Sequence, residues 1–361
     1  LGRVNKKTMD MQTKIFLLIG FTLLSILIYS LPRMDIEKHY IQTTEIDPSF
    51  VELFNPPCDC SRIIKRKMIP IEIYDVSRKK LSVNDTTCSF NAFKRGPDQK
   101  VIGFTFYEPN PENTNKLNRE YFEGISENLR LISKFYPGFV MRLYYQARES
   151  DTIKKLCNIS CSNSHLDLCD ITEIPMLGNS SVLYPLLWRF LPVLDKQVSL
   201  FLSRDLDSRI SQREVSAVET FLESDEYSFH VMRDHPAHAT TIMGGTWAVK
   251  VDRHRKEFKS SFKKLFKDTS GLAYINRTLG GYDQVALSKY VWPWAKWRAL
   301  SHDSYLCKKY PRTSPFPTKR VEGIGNYVGS VVSLNATIGF TSASECPFKC
   351  RPRDHKDWIF C

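Results

Sequence analysis

The sequence contains no Gly-x4-Gly-Lys-[Ser/Thr] loop and no Gly-x-Ser-x-Gly elbow. The first absence removes the backbone cradle that P-loop enzymes use to hold nucleotide phosphates, and the second removes the turn that presents a hydrolase serine. There is no internal repeat and no low-complexity tract, which excludes solenoids and collagen-like chains. Acidic residues are the minority charge, 39 against 51 Lys and Arg, giving +12 over 361 residues. Cysteine is thin for this length: ten residues are too few for a small scaffold built on disulfides and poorly spaced for a thiol nucleophile. What is there, 42% hydrophobic and 25% charged residues, is the balance of a chain that buries a core. Long disorder and coiled coils are excluded. The basic surplus by itself permits nucleic acid, membrane surface or phosphorylated ligands as partners.

One long apolar run is present. Ile15 to Leu31 has 17 residues without a charge, the short end of a spanning helix. No small-x-small cleavage site follows it, so an uncleaved anchor is expected rather than a signal peptide. Arg3, Lys6, Lys7 and Lys14 precede it against Asp10 alone. The positive-inside rule then puts residues 1–14 in the cytosol and everything after Leu31 in a lumen. A short span suits the thinner membranes of the early secretory pathway. All ten Cys follow the anchor, as an oxidising compartment would require. So do five N-x-[Ser/Thr] sequons, at Asn84, Asn158, Asn179, Asn276 and Asn335. Cys157, Cys161 and Cys169 lie so close in sequence that at least one local bridge is expected among them. A lumenal placement removes nucleic acid as a partner and leaves nucleotide diphosphates, acidic glycans or headgroups.

Residues 32–99 read as a stem: Pro56-Pro57, Cys58-Asp59-Cys60, a basic run, and no sustained periodicity. From Lys100 the pattern alternates. Strands are predicted over 101–107, 139–145, 168–174 and 197–202, and helices over 118–136, 152–158 and 182–194, the last bounded by Pro185 and Pro192. The alternation predicts an α/β domain with a mostly parallel sheet, where ligands sit at the carboxyl ends of strands. Ser211-x-x-Glu214 reads as a capping box. Strands over 228–233 and 246–251, a basic amphipathic helix over 254–266 and a helix from Asp283 to Tyr290 follow. Turns and short strands then lead to Cys346-x3-Cys350 and Cys361.

The sharpest constellation is Ser203-Arg204-Asp205-Leu206-Asp207 at the end of the fourth strand. Carboxylates at i and i+2 of extended backbone share a face and can grip one hard cation. The bland alternative is a surface turn with Arg204 and Arg209 paired to them. Met243-Gly244-Gly245-Thr246-Trp247 lets backbone approach a ligand closely, or is a hairpin turn with a core Trp. Arg233, Asp234, His235 and His238 crowd into seven residues, either a zinc site or a polar loop of a binding site. Asp283-Gln284 opens a helix, and Asp283 serves equally well as its N-cap. His302-Asp303 follows Trp292, Trp294 and Trp297.

This layout resembles the GT-A glycosyltransferases, type II Golgi membrane enzymes, over residues 100 to 330. The resemblance implies a Rossmann-like GT-A fold in a domain spanning 100–361, and transfer of a sugar from a nucleotide-sugar donor, UDP-linked, to a glycan, glycoprotein or glycolipid acceptor. It implies Mn²⁺ or another divalent cation on Asp205 and Asp207, with His302 as a third metal ligand. Asp283, Gln284 and Asp234 would lie beside the reacting carbon, and Gly244, Gly245 and Trp247 on the donor. Relatives of this group often carry a further Asp where this chain has Val285. A non-catalytic lectin-like or assembly subunit on the same fold is the alternative, with the endoplasmic reticulum as alternative location. A homo-oligomer remains open.

Overall fold

The structure is a computed structural model. It describes residues 58, 60, 82–108, 114–272, 281–310, 312–321, 325–331 and 345–361. All of them belong to one compact unit, Val51–Cys361. The expected anchor, residues 15–31, lies outside the described residues. Among the described residues no helix is long and apolar enough to cross a membrane.

Seven strands form one sheet: β1 (Gln99–Tyr107), β2 (Phe139–Gln146), β3 (Leu166–Asp170), β4 (Val198–Ser203), β5 (Phe229–Arg233), β6 (Trp247–Lys250) and β7 (Ala299–Asp303). Their order is β3-β2-β1-β4-β6-β5-β7. All are parallel except β6, which runs against both of its neighbours. The expected mixed α/β architecture with a mostly parallel sheet is what forms. The reversal of β6 was not legible in the sequence. An antiparallel return needs no crossover helix. Residues 234–246, with Pro236 and Gly244-Gly245, are therefore free to be a loop.

Strand side chains alternate between two apolar layers. Ile102, Phe104 and Phe106 of β1 face α2 (Thr114–Phe135), where Ile125, Leu129 and Ile132 form one buried stripe, and α5 (Gln212–Glu223) adds Val215, Val218 and Phe221 to this layer. Val101 of β1 and Phe201 of β4 face the other way, onto Leu187, Phe190 and the buried face of α6 (Arg255–Leu272). Both faces are covered, so the strands are apolar almost throughout, as expected of a parallel sheet. Each large side chain so buried contributes about 1.5–3 kcal/mol.

The remaining helices are α1 (Phe90–Lys94), α3 (Ser150–Ser162), α4 (Pro185–Trp188), α7 (Tyr282–Tyr290) and α8 (Trp292–Ala295). The predicted helix over 182–194 is divided in two. Pro185 opens α4, and Pro192 lies in a 3-10 turn, Leu191–Leu194. Each proline sits in a first turn, where its missing N–H is no loss. The capping box is half made. Ser211 Oγ accepts from Glu214 N–H, but the Glu214 carboxylate leaves the helix end for Arg204 (2.6 Å). β7 was not predicted as a strand.

Parts of the expected stem are packed onto the sheet. Thr86 Oγ1 and Thr87 N–H donate to the buried Asp195 carboxylate (2.8 and 2.9 Å), which also pairs with Arg142 (2.7 Å). The disulfides are Cys58–Cys157, Cys60–Cys161, Cys88–Cys169, Cys307–Cys350 and Cys346–Cys361. No local bridge forms among Cys157, Cys161 and Cys169, which corrects the expectation above. Cys157 and Cys161 stand one turn apart on α3 and present two thiols to the i, i+2 pair Cys58 and Cys60. Cys169 lies on β3 instead.

Candidate active site at the carboxyl ends of strands 1 and 4

From β1 the chain moves outward to β2 and β3, whereas β4 is followed by strands on its opposite side. The connections thus diverge between β1 and β4. In an open α/β sheet this divergence leaves a crevice beyond the carboxyl ends of the two strands. Tyr107 ends β1 there, and Asp205-Leu206-Asp207 follows β4. Leu206 turns into the core at 4% exposure, while Asp205 and Asp207 stay half-buried on the other side. The backbone here is a turn, Ser208 N–H donating to the Asp205 carbonyl (3.3 Å), and not the extended run expected from the sequence; the turn itself keeps both carboxylates out of the core.

Arg189 organises the cluster. It follows α4 inside an apolar stretch and is itself buried. Gly103 of β1 makes the approach possible, since a Cβ there would run into the Arg189 carbonyl. The Arg189 N–H donates to Thr105 Oγ1 (3.1 Å). So held, the guanidinium pairs with Asp205 through Nη1 and with Asp283 through Nη2 (2.6 Å). Asp283 sits in the first turn of α7, two residues inside the cap and not at the cap position expected for it. The cap is Gly281, whose φ of 84° suits glycine. Burial lifts the Asp283 carboxyl above its ordinary range, although Arg189 pulls it down. Its Oδ1 is buried without a hydrogen-bond partner among the described residues.

The glycine pair closes on the same groups. A Cβ on Gly245 would strike the Asp205 carboxylate, and one on Gly244 would strike the Asp283 carboxylate and the Arg189 guanidinium. Ser203 Oγ donates to the Gly244 carbonyl (2.7 Å) and fixes the loop. Gln284 accepts from Thr240 Oγ1 (3.0 Å) at the loop's edge.

Asp207 makes no ion pair among the described residues. Burial and the neighbouring Asp205 charge push its carboxyl up to about 6. The expected alternative pairing fails: Arg204 is taken by Glu214, and Arg209 donates to the Leu206 and Ser208 carbonyls. Three tyrosines surround the carboxylates. Burial and then the nearby charges push the Tyr121 and Tyr184 hydroxyls up to about 12, and Tyr107 is raised as well. Arg189, Tyr107, Tyr121 and Tyr184 were missed in the sequence. A lone arginine between Trp188 and Phe190 and a tyrosine ending an apolar strand were the available signals.

Three residues expected in the site lie elsewhere. Asp234 is fully engaged in a buried network: Arg213 holds both its oxygens (2.8 and 2.9 Å), Ser304 Oγ donates at 2.6 Å and Val328 N–H at 3.0 Å. His302 is buried on β7, 2.8 Å from His230, and burial brings it down to about 3. It is a neutral core histidine and no partner of Asp205. Trp247 is fully buried and stacked on Phe229 (5.3 Å), so its ring belongs to the core. Among the described residues no group of three or more His, Cys, Asp and Glu could hold a metal ion, and His235 with His238 forms no zinc site.

No family model matches the sequence, and no curated protein matches it. Two solved structures that it is similar to are a mycobacterial protein and the apo structure of the bifunctional glycosyltransferase WbbM. The first is 11% identical with a TM-score of 0.29, covering 48% of this chain and 59% of that one. The second is 10% identical with a TM-score of 0.29, covering 47% of this chain and 34% of that one. The matched region is thus under two thirds of either neighbour.

Proposed function

We propose that the chain is a metal-dependent glycosyltransferase, moving a sugar from a UDP-linked nucleotide-sugar donor to a glycan or glycoconjugate hydroxyl in the secretory pathway. The observation that carries this reading is the carboxylate pair at the end of β4. It stands at the β1–β4 crevice, with Asp207 free of any ion pair to a described residue and a glycine pair pressed against Asp205. Asp205 and Asp207 are hard oxygen donors. Two carboxylates suffice for a Mn²⁺- or Mg²⁺-like ion that takes its other ligands from phosphate and water. Held by Asp205 and Asp207, such an ion would neutralise charge on the departing diphosphate.

The chain's own groups do the rest. Arg189 holds Asp205 and Asp283 in fixed relation, so the donor-side carboxylate and the α7 carboxylate face one space. Gly244 and Gly245 let main chain lie against the donor. Tyr107, Tyr121 and Tyr184 wall the crevice and limit water. The acceptor oxygen bonds to the anomeric carbon beside Asp283 and Gln284, the carbon–phosphate-oxygen bond breaks, that electron pair leaves with the diphosphate, and the departing phosphate oxygen takes the acceptor hydroxyl's proton. On this reading the domain lies in the lumen of the Golgi on a single-pass type II anchor; the five disulfides support its oxidising compartment alone.

A non-catalytic subunit is favoured by one feature, the Arg189–Asp205 pair, which could serve the fold alone. Asp207→Asn separates the readings. In an enzyme, Mn²⁺ with UDP at 100 times Kd stabilises the wild type by about 2.7 kcal/mol. Without ligand the variant should melt at or above the wild type, because it removes a carboxylate that burial and Asp205 disfavour, yet it should gain nothing from Mn²⁺ with UDP and turn over roughly a hundredfold more slowly. A wild-type chain indifferent to Mn²⁺ and every UDP-sugar, with no donor hydrolysis, would sink the proposal.

A further inference from the structure

We propose that the groove between α6 and the α7–α8 pair is a binding site for an anionic saccharide, one whose rings carry sulfate or carboxylate groups. The groove has a volume of about 480 Å³, within the size range of ligand sites. Lys256 and Lys264 line it from α6 and Lys289 from α7. Glu257 is the one acidic residue in the lining, and its carboxylate stands 3.8 Å from His254 Nδ1. The lining therefore carries a positive surplus.

The rest of the lining suits a sugar. Trp294 is half-buried, and its indole N–H donates to Ser261 Oγ (2.9 Å), which fixes the ring. Phe258 meets that ring at 88°. Tyr290, also half-buried, and Pro293 continue the apolar wall, and the Ser260 hydroxyl lies beside it. Aromatic faces take the C–H face of a sugar ring, and lysines take its acidic substituents. A membrane is a poorer fit. The apolar face of α6 (Phe258, Phe262 and Leu265, each 0% exposed) is spent in the core, so the helix has no apolar face to insert. Asp283 and Tyr290 are the two ends of α7, about 10 Å apart. The groove shares no residue with the carboxylate cluster, and the inference does not depend on sugar transfer.

The test uses the full chain and a fluorescent, fully sulfated heparin hexasaccharide, read by anisotropy. Saturable binding that weakens with salt is expected. Lys256→Gln with Lys289→Gln should weaken it at least roughly tenfold, with Lys264→Gln as an independent second variant. Removing two distant exposed charges, Lys100→Gln with Lys349→Gln, should not. Asp207→Asn should bind like the wild type, which separates this site from the catalytic proposal. Thermal melting of the groove variants should be unchanged, because all three lysines are exposed. Equal weakening by the distant pair, equal binding of an uncharged hexasaccharide, or no binding at all would overturn the proposal. So would groove-dependent binding to phosphatidylserine vesicles without binding to the saccharide.

Discussion

Replacing Arg189 by methionine tests the central arrangement directly. Methionine keeps much of the side chain's length and removes the charge. Asp283 and Arg189 are both buried, at 2% and 3% side-chain exposure, so the variant leaves a buried carboxylate without its counter-ion. Breaking such a pair costs about 3–5 kcal/mol. The Arg189–Asp205 link adds little, because Asp205 is 37% exposed and solvent screens it. At 2–4 °C per kcal/mol for a domain of this size, the melting point should fall by roughly 10 °C. The loss should depend on pH in a fixed direction. Asp283 already has a raised folded-state pKa, and Arg189 is the cause that lowers it. Without Arg189 the shift grows. A raised carboxylate contributes stability at low pH and loses it as pH rises through the folded value. The deficit against wild type should therefore be larger at pH 8 than at pH 5. Adding Asp283→Asn should restore most of it, since an amide leaves no buried charge. Scanning fluorimetry of the four proteins at both pH values gives the full cycle. A single variant melting within two or three degrees of wild type, or a deficit that grows on acidification, would refute the reasoning.

Gly245→Ala should cost stability and Mn²⁺ affinity together, because the new methyl strikes the Asp205 carboxylate and main chain; a variant matching wild type in both titration and melting would contradict that packing. Asn84, Asn158 and Asn179 are exposed, so in a lumenal domain at least one should carry a glycan; endoglycosidase treatment of protein from cells that leaves its mobility unchanged would argue against the lumen. Thiol labelling of the denatured, unreduced chain should find no free cysteine, and peptide mapping should join Cys58 to Cys157 and Cys60 to Cys161; a Cys157–Cys161 peptide would contradict the fold.

The sequence by itself determined whatever depends on neighbours along the chain. Strand and helix alternation in the first half follows from side-chain period, and β1, β2 and β4 lie within a few residues of their predicted limits. The place of Asp205 and Asp207 just beyond β4 was legible, but the chain there is a turn rather than extended backbone, and Leu206 turns inward through it. The break of the 182–194 helix was foreshadowed by its prolines. Only the tertiary structure decided which charges meet. Asp205 and Asp283 share Arg189 across 16 and 94 residues. Glu214 deserted its helix cap for Arg204 because a buried guanidinium demands a carboxylate more strongly than a helix end does. Asp234, His302 and Trp247 had the residue types of a site, but burial and satisfied partners made them core. The cysteine pairs followed the same logic: Cys157 and Cys161 were near each other in sequence, yet the fold brought chain from 99 and 101 residues away against α3. Local sequence sets local conformation, whereas long-range pairing depends on which surfaces the packed sheet brings into contact.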